Sequence, residues 1–319
     1  MVLYGGEPLV HYTREVVEYI LARGKELGAW NFRATTNGVE LDLFHDLIGT
    51  GPGQIGQLQI TLDGPPEIHD RRRFLPGKAG TFGRIARNVT SALQLGAAVT
   101  VRVNVDRKNA EEVKRLAELF EDQGWNRFRG FNSYLANVIL KEARTSPRRF
   151  ATEFAMDEAV RQGEGEGPIP ANDWGIRSKI AHVMRTGQVP PLRAHFCGAA
   201  VGMYLFDPFG DIYTCWELVG EQHAKVGRFI PALEWGDNLK LWRGRSAGEI
   251  PECRKCRYAL FCGGGCPKWA HDANGSLMSP FCNGFEQTFL QSARLVVRDL
   301  QAARAAPLTA ASSAALTTA

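Results

Sequence analysis

The sequence predicts an α/β protein, a parallel sheet covered by helices and followed by a smaller cysteine-rich domain. Strand-like and helix-like segments alternate five times over roughly the first 130 residues. All seven cysteines lie from Cys197 onward. From about Pro190 glycine becomes frequent and long periodic runs give way to short segments, so the domains are drawn at residues 1–189 and 190–301. The Ala- and Thr-rich tail at 302–319 is expected to be disordered. Local pattern does not choose between an open, doubly wound sheet and one curled into a barrel.

Val2-Leu3-Tyr4 reads as the end of a buried strand that runs into a Gly5-Gly6-Glu7-Pro8 turn. Thr13 to Leu27 sets Val16, Val17, Ile20, Leu21 and Leu27 at near-helical spacing, and Gly28 stops the run. Phe32 to Thr36 suits a strand because it ends in Asn37-Gly38. Leu41 to Ile48 reads as a helix, and Gln57 to Leu62 as a strand closed by Asp63-Gly64-Pro65. Phe82 to Leu95 is helical, with Ile85, Val89, Ala92 and Leu93 on one side, and Ala98 to Val105 is a β-branched strand. Asn109 is expected to cap a helix over Ala110 to Asp122, with Glu112 closing a capping box. Arg127 to Tyr134 follows as a strand, and a last helix is expected over Phe285 to Leu300.

Composition excludes several classes. At 44% hydrophobic and 23% charged the chain can bury a sizeable core. Thirty-eight Lys and Arg against 34 Asp and Glu leave a charge of +4 with no long basic run, so neither nucleic acid nor an acidic membrane is an expected partner. No apolar stretch approaches the roughly 18 residues of a membrane span. No charged-then-apolar leader precedes Val2, and the cysteine count is odd. The expected location is the cytoplasm, where thiols stay reduced.

The seven thiols are Cys197, Cys215, Cys253, Cys256, Cys262, Cys266 and Cys282. In Cys253-x2-Cys256-x5-Cys262-x3-Cys266 four soft ligands fall within fourteen residues, and Gly263, Gly264 and Gly265 let the backbone approach a metal centre without a Cβ. Structural zinc also takes four thiolates, with His195, His223 or His271 available for a second site. A four-iron cluster needs one ligand per iron, so seven thiols read as four plus three.

Cys197-x12-Gly210-x4-Cys215, the Cys253 to Cys266 segment and Cys282 together resemble the seven-cysteine pattern of the SPASM domain. That domain is the auxiliary-cluster module of many radical S-adenosylmethionine enzymes. The first half is similar to the same family's barrel: Gly5-Gly6-Glu7-Pro8, Thr36-Asn37-Gly38, and Gln59-Ile60-Thr61-Leu62-Asp63-Gly64-Pro65 followed by Ile68-His69-Asp70 and Arg73, in the family's order. The resemblance implies an incomplete parallel (β/α)6 barrel lacking its first β/α unit, then a SPASM domain. It implies that Gly5, Gly6 and Glu7 hold the amino group of S-adenosylmethionine through their backbone. Thr61 and Arg73 would hold its carboxylate, a partner that suits a guanidinium. It implies two auxiliary [4Fe-4S] clusters, one on Cys253, Cys256, Cys262 and Cys282, the other on Cys197, Cys215 and Cys266 with its fourth ligand unassigned. The implied partners are a peptide or protein substrate and an electron donor such as flavodoxin or ferredoxin.

Two features depart from the pattern. The family's radical-generating cluster needs a C-x3-C-x2-C loop, yet no cysteine precedes Cys197. The chain alone is therefore expected to be inactive in that chemistry, and its start inside a strand suggests a truncated reading; a third [4Fe-4S] cluster is expected only with the missing segment. Formylglycine-forming sulfatase maturases carry an Asp directly after the second cysteine, where this chain has Trp216 and then Glu217. Glu217 is a weak candidate base, more simply a solvated or hydrogen-bonded carboxylate. The expected function is a radical S-adenosylmethionine peptide maturase, modifying a ribosomal peptide through a 5′-deoxyadenosyl radical. A formylglycine-type enzyme and a non-catalytic iron-sulfur or zinc protein are the alternatives. Gly51-Pro52-Gly53-Gln54-Ile55-Gly56 fits a dinucleotide fingerprint in letters only, since a helix precedes it and a strand follows.

Overall fold

A computed structural model describes residues 1–138, 149–161 and 167–305. Its contacts divide the chain into two units, Met1–Asn172 and Asp173–Ala319. The first unit runs β1 (Val2–Leu3), α1 (Arg14–Glu26), β2 (Phe32–Thr36), β3 (Ile55–Thr61), α2 (Pro66–Arg72), α3 (Phe82–Gln94), β4 (Ala98–Val105), α4 (Val113–Asp122), β5 (Phe131–Asn137) and α5 (Glu153–Arg161). Its strands lie in the order β1-β2-β3-β4-β5, each pair parallel. Sequential order without a reversal is the topology of a barrel wall, because right-handed crossovers then all step the same way. Among the described residues the five strands do not close. This is the incomplete barrel that the motifs imply.

β4 shows why the sheet forms. Val99, Val101, Val103 and Val105 are fully buried and alternate with half-buried residues, the period of a strand with one face on the core. Each such valine contributes about 1.5–3 kcal/mol. α3 covers them with Ile85, Val89, Ala92 and Leu93, and α4 with Val113, Leu116 and Phe120. Buried Trp125 keeps its polar handle satisfied by donating from Nε1 to Thr90 Oγ1 at 2.9 Å.

Local chemistry corrects several expected elements. Leu41–Leu47 forms 3-10 turns instead of an α-helix. A 3-10 turn occupies Trp125–Arg127, so β5 begins only at Phe131. Asn109 builds no capping box: its Nδ2 donates to the carbonyls of Asp63 (2.6 Å) and Asn104 (2.9 Å), and its Oδ1 accepts from Asp106 N, which ties the ends of β3 and β4 together. Residues Ala110–Glu112 consequently start as a 3-10 turn before α4.

The second unit has α6 (Ile176–Thr186), a small antiparallel sheet of β6 (Leu205–Phe206), β7 (Asp211–Tyr213), β8 (Gly227–Arg228) and β9 (Glu234–Trp235), then α7 (Asn238–Arg243), α8 (Pro251–Arg254), α9 (Ala259–Cys262), α10 (Pro267–Asn274) and α11 (Phe285–Ala305). The first residues assigned to a disordered tail continue α11 to Ala305; the remainder lies outside the described residues. No described helix is long and apolar enough to cross a membrane.

Candidate cofactor and cluster sites

In parallel sheets of this kind ligands bind outside the carboxyl ends of the strands. The turns that follow β1, β2 and β3 carry Gly5-Gly6-Glu7, Asn37-Gly38 and Asp63-Gly64 at that edge. Gly5 (φ +96°) and Gly6 (φ +57°) are left-handed, and a Cβ on either would meet nothing within 4 Å, so conformation and not crowding requires glycine there. The Glu7 carboxylate fastens the first turn to the second: Oε1 accepts from Thr36 Oγ1 at 2.5 Å and Leu9 N at 3.1 Å, and Oε2 from Asn37 N at 2.6 Å. Glu7 therefore has a bracing role in its side chain that the motif alone does not reveal.

Thr61 is the last residue of β3, two positions before Asp63. Arg73 Nε donates to buried Asp63 Oδ2 at 2.8 Å, while Asp63 Oδ1 accepts from Asn104 N and Nδ2 at 3.2 and 3.1 Å. The structure thus brings Arg73 to the edge on which Thr61 ends. A buried histidine holds it there. Asp63 N donates to His69 Nδ1 (3.2 Å), which assigns the proton to Nε2; Nε2 then donates to Thr81 Oγ1 (3.1 Å), whose hydroxyl donates to Arg73 O (3.0 Å). This chain needs neutral imidazole, and burial pushes His69 down to about 4. Asp70 Oδ1 accepts from Thr81 N and Phe82 N at 2.8 and 2.9 Å and so starts α3. The His69-Asp70 pair is a brace for the site. A cavity of about 680 Å³ opens nearby in the same unit, with Arg71, Arg72, Lys108 and Arg149 against Asp106.

The seven thiols are all free cysteines. Their mutual electrostatics divide them. Burial first, then Cys262, Cys282 and Cys256, pushes Cys253 up to about 11, and Cys262 and Cys282 are raised by burial and by thiols of the same set. Burial raises Cys266 to about 12 and Cys215 to about 11, with Cys215 and Cys197 adding to the first and Glu217 and Cys197 to the second. Thiols that disfavour one another's ionisation ionise together only where a cationic centre joins them.

The backbone is prepared for thiolates. N–H groups point at sulfur from Ala199 and Ala200 to Cys197, from Glu217 to Cys215, from Gly264 and Gly265 to Cys262, and from Trp269 to Cys266. Cys197, Cys215 and Cys266 each occupy the cap position of a following turn or helix, where backbone donors are otherwise unsatisfied. The donor set therefore fits iron-sulfur clusters. Among the described residues no three His, Cys, Asp or Glu side chains gather tightly enough for a single ion. A four-iron core asks for a wider set, because each thiolate takes its own iron.

The three central glycines act differently from the expectation. Gly263, Gly264 and Gly265 have φ of +73°, +84° and +74°. A Cβ on Gly263 would strike the backbone of His195 and Phe196, and one on Gly265 the carbonyl of Phe281. They admit the chain segments that carry Cys197 and Cys282. Glu217 Oε2 lies 3.8 Å from Lys268 Nζ, which also donates to Asp272 Oδ2 at 2.5 Å. It is ion-paired.

No family model matches the chain. The mycofactocin maturase MftC of Mycobacterium tuberculosis is 25% identical over 283 residues, covering 82% of this chain and 64% of its own length. The structure of anSMEcpe with bound AdoMet superposes with a TM-score of 0.64 at 15% identity, over 95% of this chain and 80% of that one. The chain is thus similar in sequence to a maturase and shares the fold of anSMEcpe, as the radical S-adenosylmethionine and SPASM resemblance implies. An uncharacterized protein of Archaeoglobus fulgidus is 26% identical over 150 residues, 45% of this chain and 35% of the relative. Streptococcus suis SuiB bound to its precursor peptide SuiA aligns with a TM-score of 0.50 at 13% identity, over 87% and 63% of the two chains. The chain thus spans between about a third and just under two thirds of the curated relatives it matches.

Proposed function

We propose that this chain serves radical S-adenosylmethionine modification of a peptide in the cytoplasm, with two auxiliary [4Fe-4S] clusters in its second unit. What supports the reading is the seven-cysteine spacing, with Cys215, Cys253 and Cys262 buried in the small clusters of the second unit. Cys253, Cys256, Cys262 and Cys282 would hold one cluster, and Cys197, Cys215 and Cys266 the other. Given one electron from a cluster on the C-x3-C-x2-C segment these residues lack, bound S-adenosylmethionine would supply the hydrogen-abstracting chemistry, and the auxiliary clusters would offer a place for the substrate's electron. The chain's own residues bind and orient. The Gly5-Gly6-Glu7 backbone takes the amino group, and Thr61 with Arg73 takes the carboxylate, Arg73 being held by Asp63 and by the His69–Thr81 relay.

A peptide substrate is supported by MftC, a maturase by name, and by structures of anSMEcpe with the Kp18Cys peptide and SuiB with SuiA. Trp216, standing where formylglycine maturases place an Asp, favours peptide maturation over that alternative. An electron donor of the flavodoxin or ferredoxin kind completes the proposal. The C-x3-C-x2-C set does not occur in these 319 residues, so they alone are not expected to cleave S-adenosylmethionine reductively.

Anaerobic reconstitution tests the reading. Two clusters require about eight iron and eight sulfide per chain; about two zinc without sulfide would establish the zinc protein instead. Arg73→Met and Thr61→Val should each weaken S-adenosylmethionine binding by tenfold or more in equilibrium dialysis.

A further inference from the structure

Arg245 is one of the largest fully buried side chains, 1% exposed, and no motif singles it out. It follows α7 and reaches into the cysteine-bearing loops. Nε donates to Leu277 O at 2.5 Å, and Nη2 to Gly264 O at 2.9 Å and Ser279 O at 3.1 Å. Its own carbonyl accepts from His195 Nδ1 at 2.8 Å. One residue therefore ties together the segments that lead into Cys197, Cys266 and Cys282. The remaining nitrogen, Nη1, is buried with no hydrogen-bond partner. It sits beside Gly264, where a Cβ would lie 3.4 Å from it, between Cys262 and Cys266.

A buried guanidinium N–H without an acceptor is retained only where something accepts from it. Burial pushes Arg245 below its ordinary value, and among the opposing thiolates Cys266 acts most strongly, ahead of Cys253, Cys197 and Cys262. Gly264 lies between Cys262 and Cys266 in sequence, so a cluster held on these thiolates would bring a sulfur acceptor to that place.

We propose that Arg245 sets the potential of the cluster on Cys197, Cys215 and Cys266, donating from Nη1 to one of its sulfurs. The inference rests on the cluster reading above. On one-electron reduction by dithionite a [4Fe-4S]2+ core becomes [4Fe-4S]1+, and a fixed positive charge with an N–H···S bond favours that more negative state. Arg245 thus makes this cluster easier to reduce than it would be without the charge, and a positioning role in cluster assembly alone would leave the potential unmoved.

The test uses the full chain, reconstituted anaerobically, with potentials read by electron paramagnetic resonance titration and the cluster assigned by its loss in Cys215→Ala. Arg245→Met should move that midpoint to more negative potential, and Arg245→Lys should move it less. Unchanged midpoints at full iron and sulfide content overturn the proposal, as does a shift confined to the other cluster. A second measurement needs no variant to fold: guanidino-15N arginine should give a 15N hyperfine coupling to the reduced three-cysteine cluster, lost in Arg245→Lys. Absence of that coupling in the unaltered chain overturns the proposal. Absence of iron and sulfide altogether overturns the cluster reading itself, which keeps the two failures distinct.

Discussion

In the first unit one apolar core runs from Leu3 to Ile169 and contains no cysteine, whereas in the second three small clusters form round Cys215, Cys262 and Cys253. The first unit draws its stability from ordinary burial of Val, Leu, Ile and Phe on a sheet. The second has two- and three-residue strands and helices as short as four residues, elements that cannot stand on propensity. Cys215, Cys253 and Cys262 occupy core positions and are pushed towards their protonated forms first by burial and then by neighbouring thiols. If the proposed clusters complete such a core, the two units should respond differently to the same insult.

The largest difference is expected on removing the clusters. Thiolate-held structural metal contributes about 10 kcal/mol in small domains. Comparing reconstituted and metal-free protein by hydrogen exchange, amides from Arg193 to Phe285 should lose their protection while those of β2 to β4 keep theirs. Equal loss in both units would erase the contrast.

A smaller cut is Gly265→Ala. The new Cβ would meet the Phe281 carbonyl and be held at a left-handed φ, so a destabilisation of about 4 kcal/mol and loss of the cluster on Cys282 are expected. Gly275→Ala is the control. Its φ of +71° is alike but nothing lies within 4 Å, so about 1 kcal/mol is expected. Iron content and thermal unfolding of both variants check the pair; similar losses would mean that conformation, not the docking of the Cys282 segment, explains the glycine.

The same contrast governs what the sequence reveals. β4 and α3 are legible because alternation and helical spacing report directly on which face is buried, and the seven cysteines are legible because their spacing carries ligand chemistry. Asn109 misleads, since its side chain answers to Asp63 and Asn104 across the sheet edge and not to its own helix. The glycine triplet shows its flexibility in sequence but not its neighbours, which come from His195 and Phe281. Arg245 lies in a bland stretch, and a lone arginine gives no sign that it will be buried. α2 and β6 to β9 are too short to show a period at all.

Within the first unit two buried titratable groups predict opposite pH effects of lesser size. His69 falls to about 4 in the fold from 6.5, so the unfolded chain binds the extra proton between those values. Its stabilising contribution is present above pH 6.5 and is lost as pH falls towards 4, by about 3 kcal/mol. The urea midpoint of β4, read by pulsed hydrogen exchange, should follow that loss. His69→Gln should flatten it, and a midpoint that does not fall towards pH 4 in the unaltered chain would sink the neutral relay to Arg73.

Glu153 gives the smallest expected effect and the opposite sign. Burial raises its carboxyl to about 7 from 4.5, against the Asn137 N–H at 3.2 Å and the charges of Arg102 and Arg149. Here the folded chain binds the extra proton, so the contribution is complete below pH 4.5 and is lost as pH climbs through 7. The side chain is only half-buried, which limits the effect to about 1–2 kcal/mol. In the His69→Gln background, which removes the opposing histidine effect, Glu153→Gln should hold the β4 urea midpoint at its low-pH level across that window and leave the second unit's exchange unchanged. If the midpoint of His69→Gln alone instead rises from pH 5 to 7, Glu153 is ionised in the fold, and the charges of Arg102 and Arg149 outweigh its burial.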